Sequence, residues 1–482
     1  MQFNSYIFIL LFLPITVLLY FGTNKIKPIF GKLVLIVASI FFYSFGRAHM
    51  LIYLGISILL NYFSSLVIKK YEIKRKIILS IPIIINIALL LYFKYFNFAV
   101  TTINILGFKE LPTREIILPL GISFYTFQQI AYIVSVSNGT LNNINLIDYL
   151  TYISFFPKLV MGPLVDPIDF LSQLNNSDRK KINLNNIACG IKIFSLGLIK
   201  KALIADTFAQ AVSWIYATTA TATSMDCILL VIFYTFEIYF DFSGYSDMAV
   251  GVSSMLNIDL PINFDSPYKA LSIRDFWKRW HISLTKFLTK YIYIPLGGSR
   301  KGKLFTYSNI FIVFLISGLW HGSNWTFVLW GFLHGLLNCL DRMFEKIEEK
   351  IFIPVRWFLT FTTVSVLWLL FSAESITQWL KILSKILFMK DMTISDGVLD
   401  SFVLSEQRFF IDILPLGYLS SNVRGFNMII FILMAYAVCL IPENNFKKKN
   451  ELSLISLFPT VAAFIWGVLC LGGESTFVYF GF

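Results

Sequence analysis

Apolar positions along this chain gather into long runs separated by short polar breaks. The clearest runs are 3–21, 33–45, 51–68, 77–93, 227–240, 305–319, 327–340, 358–371, 428–441 and 455–471. A helix crossing a bilayer needs about 20 predominantly apolar residues. Several of these runs are shorter, so tilted or re-entrant elements are expected among roughly 10 to 12 spanning helices. The pattern predicts an all-α polytopic membrane protein forming a single integral membrane domain in three stretches. Residues 1–110 read as simple spans, and simple spans return in 346–482. Within 111–345 the apolar stretches are broken repeatedly by Gly, Pro, Asp, Asn and His. Non-helical backbone at membrane depth is tolerated only where protein buries it or a watery cavity takes it up. The broken middle is therefore the expected working core. No internal repeat is visible, which counts against an inverted-repeat transporter.

Composition strengthens the membrane reading. Of 482 residues, 57% are hydrophobic and 14% charged, with a mean hydropathy of +0.71. A soluble domain carries about a quarter of its residues as charges, so this chain lacks the polar surface to cover itself in water. The first run has no basic n-region and no small-residue cleavage site, so it reads as a retained helix, not a signal peptide. Cys189, Cys227, Cys339, Cys439 and Cys470 form no CxxC pair and suit neither a metal site nor a disulfide framework.

The net charge of +12 is informative by position. Basic clusters stand at 25–32, 69–76, 179–181, 300–303 and 447–449, and the positive-inside rule turns these loops to the cytoplasm. Two spans between the first two clusters put the N-terminus outside. The segment 391–424, with Asp391, Asp396, Asp400, Glu406 and Asp412, fits an outside loop, and the last span leaves Phe482 outside. Two ends on one side require an even number of spans. The cations sit in short loops and form no contiguous patch, so nucleic-acid binding is a poor account of them.

Four histidines remain as candidate chemistry: His49, His281, His321 and His334. Neither a GxSxG elbow nor an HExxH pair is present, and the HxxxxD spacing of soluble acyltransferases is missing because Cys339 follows His334 at that interval. His321 lies in Ser317-Gly318-Leu319-Trp320-His321-Gly322-Ser323-Asn324-Trp325. From a cytoplasmic 300–303 cluster, the run 304–320 climbs about 25 Å at helical rise, which sets His321 deep in the membrane or beyond it. An ionisable residue there is costly and suggests function, and imidazole can take a hydroxyl proton near neutral pH. A structural histidine bonded to a turn carbonyl is the bland alternative. His281 follows Arg274, Asp275, Lys278, Arg279 and Trp280. At helical spacing Arg274, Lys278, His281 and Thr285 share one face, beside an apolar stripe of Ile273, Trp277, Trp280 and Leu284. These cations either anchor an interfacial helix to lipid phosphates or bind a phosphate-bearing donor. Glu237, Asp241 and Asp247, with Tyr245 between them, place three acids in an apolar run; Lys200, Lys201 and Arg279 are candidate ion-pair partners for Asp241. His49 reads as interfacial. His334, in Trp330-Gly331-Phe332-Leu333-His334-Gly335, reads as a packing or supporting residue.

The ordered strings resemble the membrane-bound O-acyltransferase family. They are Gly121-Ile122-Ser123-Phe124-Tyr125-Thr126-Phe127, Phe155-Phe156-Pro157 with Gly162-Pro163, Gly197-Leu198-Ile199-Lys200-Lys201 with Ala205-Asp206, the 241–247 patch, Arg279-Trp280-His281-Ile282-Ser283-Leu284, Tyr293-Ile294-Pro295-Leu296-Gly297-Gly298, and the two strings around His321 and His334. They keep the family's order over about 220 residues and look most like its alginate O-acetyltransferase (AlgI-like) branch, which includes peptidoglycan O-acetylating relatives. The resemblance implies a helical core with a central tunnel, an acyl thioester such as acetyl-coenzyme A arriving from the cytoplasm, and an acceptor polysaccharide outside. His321 matches the family's catalytic base, and His281 its second motif histidine, holding the donor or polarising its carbonyl. Trp320, Asn324 and Trp325 would shape the tunnel around an acetyl group. A separate extracytoplasmic acetyltransferase partner is also implied, and no bound cofactor or metal, in a bacterial cytoplasmic membrane. The chain departs from the family at Ser135, where an acid is usual, at Thr289-Lys290-Tyr291, where Arg-Asp-Tyr is usual, and at Lys158, where Gln is usual.

Three rival readings stay open. A D-alanyl transferase of the same fold would act on teichoic acid from a carrier protein, a donor that the short basic loops could suit. A polysaccharide transporter would use the intramembrane acids as a pathway and leave the histidines dispensable, and a structural scaffold is a remoter possibility. Alginate, peptidoglycan, capsule and cellulose acetylation fit the residues alike, although an Asn-, Ile-, Lys- and Phe-rich composition points to an AT-rich bacterial genome and away from alginate.

Overall fold

Each of the ten apolar runs falls on a helix in the computed structural model. The structure describes residues 1–71, 75–107, 110–404, 407, 420–444, 446 and 453–472. Glu406, Asp412, Phe482, the 447–449 cluster and part of the 69–76 cluster lie outside these residues. The main helices are α1 (Phe8–Asn24), α2 (Pro28–Ser44), α3 (Met50–Lys70), α4 (Arg75–Ile105), α5 (Ile122–Ser137), α6 (Leu146–Ser154), α7 (Pro167–Asn175), α8 (Leu184–Ile199), α9 (Asp206–Ala217) and α10 (Ser224–Met255). They continue with α11 (Ile273–Arg279), α12 (Ile282–Leu288), α13 (Lys303–His321), α14 (Trp325–Glu348), α15 (Ile353–Ser372), α16 (Ile376–Phe388), α17 (Asp396–Asp400), α18 (Ser420–Leu440) and α19 (Leu454–Leu469). No strand occurs among the described residues. Among the described residues, six helices are long and apolar enough to cross a bilayer: α3, α4, α10, α13, α15 and Val423–Leu440 of α18. Three shorter apolar ones, α1, α2 and Leu457–Leu469, accompany them.

The chain divides into two compact units. The first holds Met1–Gly197, Tyr245–Ile262 and the described part of Lys449–Leu471. Here α1 packs on α2, and α5 packs against both α3 and α4. In lipid, polar groups must be satisfied within the protein, and the interior shows this. Asn61 and Asn86 exchange amide hydrogen bonds of 3.1 and 2.7 Å. Lys158, the departure from the family's Gln, is fully buried with its ammonium 4.0 Å from the Tyr152 ring centroid. It donates to Gln128 Oε1, so a π face and an amide oxygen take the place of a carboxylate.

The second unit contains Leu198–Gly244 and Asn263–Lys448. Its tightest element pair is α13 against α14, and glycines set the distance. A Cβ added to Gly318 would stand 2.4 Å from the Phe327 carbonyl oxygen, and one on Gly331 would stand 2.6 Å from that of Phe314. Neither backbone can yield without the helices parting, and this contact fixes where α13 ends at His321. Gly331→Ala is therefore expected to cost about 1–3 kcal/mol through overpacking. It should read as a lowered thermal midpoint of the detergent-solubilised protein, whereas Ala at the open Gly425 leaves the midpoint in place.

Candidate active site

The continuous helical face expected through Arg274, Lys278, His281 and Thr285 does not form. Ser272 caps α11 by accepting from the Asp275 amide at 3.2 Å, and Asp341 Oδ2 accepts from the Arg274 amide at 2.6 Å. The helix then stops after seven residues. Trp280 turns extended, and His281 adopts a left-handed backbone with φ 44° and ψ 52° before α12 begins. Such a conformation in a non-glycine residue costs on the order of 1–3 kcal/mol and persists only where surroundings enforce it. Asn263 does the enforcing. Its carbonyl accepts from the Ile282 amide at 3.0 Å, and its Oδ1 accepts from the Ser283 hydroxyl at 2.6 Å and amide at 3.3 Å. The turn swings His281 away from the cations and into the interior, where it is 1% exposed. Its ring meets Phe242 edge-on at 4.8 Å, and neither ring nitrogen has a hydrogen-bond partner among the described residues. Asn263→Ala removes both contacts to Ser283. It is expected to lower turnover about tenfold while the protein still folds, since each lost bond costs about 1 kcal/mol; steady-state rates beside a thermal scan check this.

His321 is the last residue of α13, and Gly322 beyond it is extended. Its ring lies 4.9 Å from Trp320, 5.4 Å from Trp330 and 5.0 Å from Phe371, centroid to centroid. Trp320 also faces His281 at 6.1 Å, so one indole stands next to both motif histidines. Trp330 in turn contacts His334 at 4.7 Å. His334 is fully buried, and its Nδ1 accepts from Trp277 Nε1 at 3.2 Å. An accepting nitrogen carries no proton, so neutral His334 holds its proton on Nε2. Trp368 closes the cluster, 4.7 Å from Trp280 and 6.0 Å from Trp330. The result is three buried imidazoles set among indole and phenyl rings, all within the second unit.

The other sequence candidates divide by what they touch. Asp241 is 1% exposed and receives Lys201 Nζ at 2.5 Å, while the same ammonium reaches Asp206 at 2.8 Å. Lys201, one of its three candidate partners, thus bridges Asp241 and Asp206. Arg274 forms two bonds to Glu345, at 2.5 and 3.2 Å, and Arg279 pairs with Asp275 at 2.9 Å. Lys278 is exposed and makes no ion pair among the described residues. Asn324 caps α14 by accepting from the Thr326 amide at 3.1 Å and donates to the Glu374 carbonyl at 2.9 Å, so both ends of its side chain are engaged. Trp325 is about half exposed at 48%. Tyr245 and Asp247 are buried but belong to the first unit, where Tyr245 lies 5.0 Å from Phe3. His49 is exposed at the N-terminal end of α3. Sequence reading did not single out Asn263, Trp368 or Phe371. The last two sit in an apolar run that looks like any lipid-facing span, and Asn263 had no helical period to mark it.

A buried imidazole cluster with aromatic walls can move a proton in a site from which bulk water is excluded. Proteins that perform such chemistry in membranes include the family to which this chain proves similar. The family model described as MBOAT, membrane-bound O-acyltransferase family, matches residues 37–380. The chain belongs to the membrane-bound O-acyltransferase family and is a multi-pass membrane acyltransferase. It is 34% identical to a peptidoglycan O-acetyltransferase of Helicobacter pylori over all of this chain and 97% of the relative. It is 39% identical to a probable alginate O-acetylase AlgI of Pseudomonas putida over 78% of each. A teichoic acid D-alanyltransferase of Streptococcus thermophilus is more distant, at 27% identity over 55% of this chain and 71% of the relative.

Proposed function

We propose that this enzyme takes an acetyl group from a cytoplasmic thioester, acetyl-coenzyme A, and passes it to a hydroxyl of an extracytoplasmic polysaccharide in the bacterial cytoplasmic membrane. The transfer is direct or goes through an extracytoplasmic acetyltransferase partner. The observation that carries the reading is the pairing of His321 and His281 around Trp320 in a buried aromatic cluster. His321 removes the acceptor hydroxyl proton as its oxygen attacks the thioester carbonyl carbon. The carbonyl oxygen gains the negative charge, and an N–H of His281 donates to it, which favours the tetrahedral state over the substrate. The C–S bond then breaks, the thiolate takes the proton from His321, and ester and free thiol leave. The resemblance to peptidoglycan and alginate acetylating proteins over most of the chain supports an acetyl group and a glycan acceptor over D-alanine. Exposed Lys278, in the last turn of α11, fits the phosphates of the donor.

The test uses sealed inside-out membrane vesicles supplied externally with acetyl-labelled coenzyme A. Alkali-labile label on glycan inside the vesicles is expected, and it should vanish when the gene for this chain is deleted. Label that appears only with D-alanine and its carrier would replace this reading with the teichoic acid one.

A further inference from the structure

We propose that the α1–α2 face of the first unit is a binding groove for one acyl chain of an anionic phospholipid of the cytoplasmic leaflet. The groove holds about 680 Å³ and runs along Ile7, just before α1, and Leu11 and Leu19 of α1, opposite Val34, Val37 and Phe41 of α2. Thr16 and Thr23 are its only polar lining residues among those described, and the Thr23 hydroxyl donates to the Leu19 carbonyl at 2.7 Å. The wall therefore asks for hydrocarbon.

Its length suits one acyl chain. From Ile7 to Thr23 the groove extends about 24 Å at helical rise, and a single extended alkyl chain lies along it.

Charge decides the head group. The groove ends at Thr23 and Phe30, and the connection between them carries Lys25 and Lys27, both exposed and in no ion pair among the described residues. Lys32, one turn on, differs: Asp148 and Asn175 hold it at 2.5 and 2.6 Å. Lys27 is extended, and α2 starts at Pro28 without a side-chain cap, so the helix N-terminus adds its positive end to the two ammonium groups. The positive-inside rule places this connection at the cytoplasmic surface. A phosphate at Lys25 and Lys27 leaves its acyl chain in line with the groove.

The experiment measures binding of spin-labelled phosphatidylglycerol and phosphatidylcholine to the full-length protein in mild detergent. One site is expected, at least tenfold tighter for phosphatidylglycerol, weakened by salt and not competed by glycerol phosphate alone. Ala38→Trp, which fills the groove, should abolish it. Lys25→Gln with Lys27→Gln should bring both lipids to the same affinity, and this surface pair decides the matter should the tryptophan variant fail to fold. Equal affinities in the unaltered protein, undiminished binding in Ala38→Trp, or competition by glycerol phosphate would overturn the proposal. So would a disulfide between two copies formed through Val37→Cys, which would make the groove an interface.

Discussion

His321→Ala is expected to lower acyl transfer by about 10²–10⁴, the usual contribution of a positioned general base. The protein should remain folded, because Trp320, Trp330 and Phe371 around the imidazole still pack on one another's neighbours when the ring is removed. His321→Gln should be equally inactive, since it keeps volume and hydrogen bonding but cannot take up the proton. Thiol release from the purified variants gives the rate, and a thermal scan shows whether folding has survived. A His321→Ala enzyme at half of the normal rate would remove this residue from the chemistry.

The largest effect on stability is expected at Lys201. The residue is 1% exposed, and its ammonium is shared by Asp241 at 2.5 Å and Asp206 at 2.8 Å. Lys201→Met removes the ammonium that the two carboxylates share, at a cost of about 3–5 kcal/mol. Asp241→Asn should cost less, about 1–3 kcal/mol, because the lysine keeps Asp206. Combining Lys201→Met with Asp241→Leu should recover much of the loss, as apolar replacement of a buried pair is often close to neutral. Folded yield and thermal midpoint in detergent order the three variants. A Lys201→Met protein as stable as the parent would mean that water or another group reaches Asp241.

Helix positions were legible because apolar length is the dominant signal in a membrane chain. All ten runs lie on helices, and the short ones gain length from positions outside the run; α2, for instance, extends the 33–45 run back through Lys32, Gly31, Phe30 and Ile29 to Pro28. The Asp241 ion pair was legible too, since an acid in an apolar run demands a partner and few cations were available. The His281 turn was not. Helical periodicity extrapolates through residues 273–285, whereas Asn263, ten positions before α11 begins, breaks the helix by bonding Ile282 and Ser283. The walls of the site were only half legible. Trp320 and Trp330 flank histidines in sequence, but Trp368 and Phe371 reach the cluster only by tertiary packing. Asn324 could have been read as a cap, since Asn before a helical run commonly is one; the resemblance drew attention to the tunnel instead.

The central claim is that the acyl group reacts beside His321 and His281 in the second unit. Its most direct test is photolabelling of the purified enzyme with a coenzyme A thioester whose short acyl chain carries a diazirine, followed by peptide mapping. Crosslinks are expected on segments containing Trp280–His281, Trp320–His321 and Trp330, competed by acetyl-coenzyme A. Crosslinks confined to α1–α4, or spread over the chain and indifferent to competitor, would contradict it.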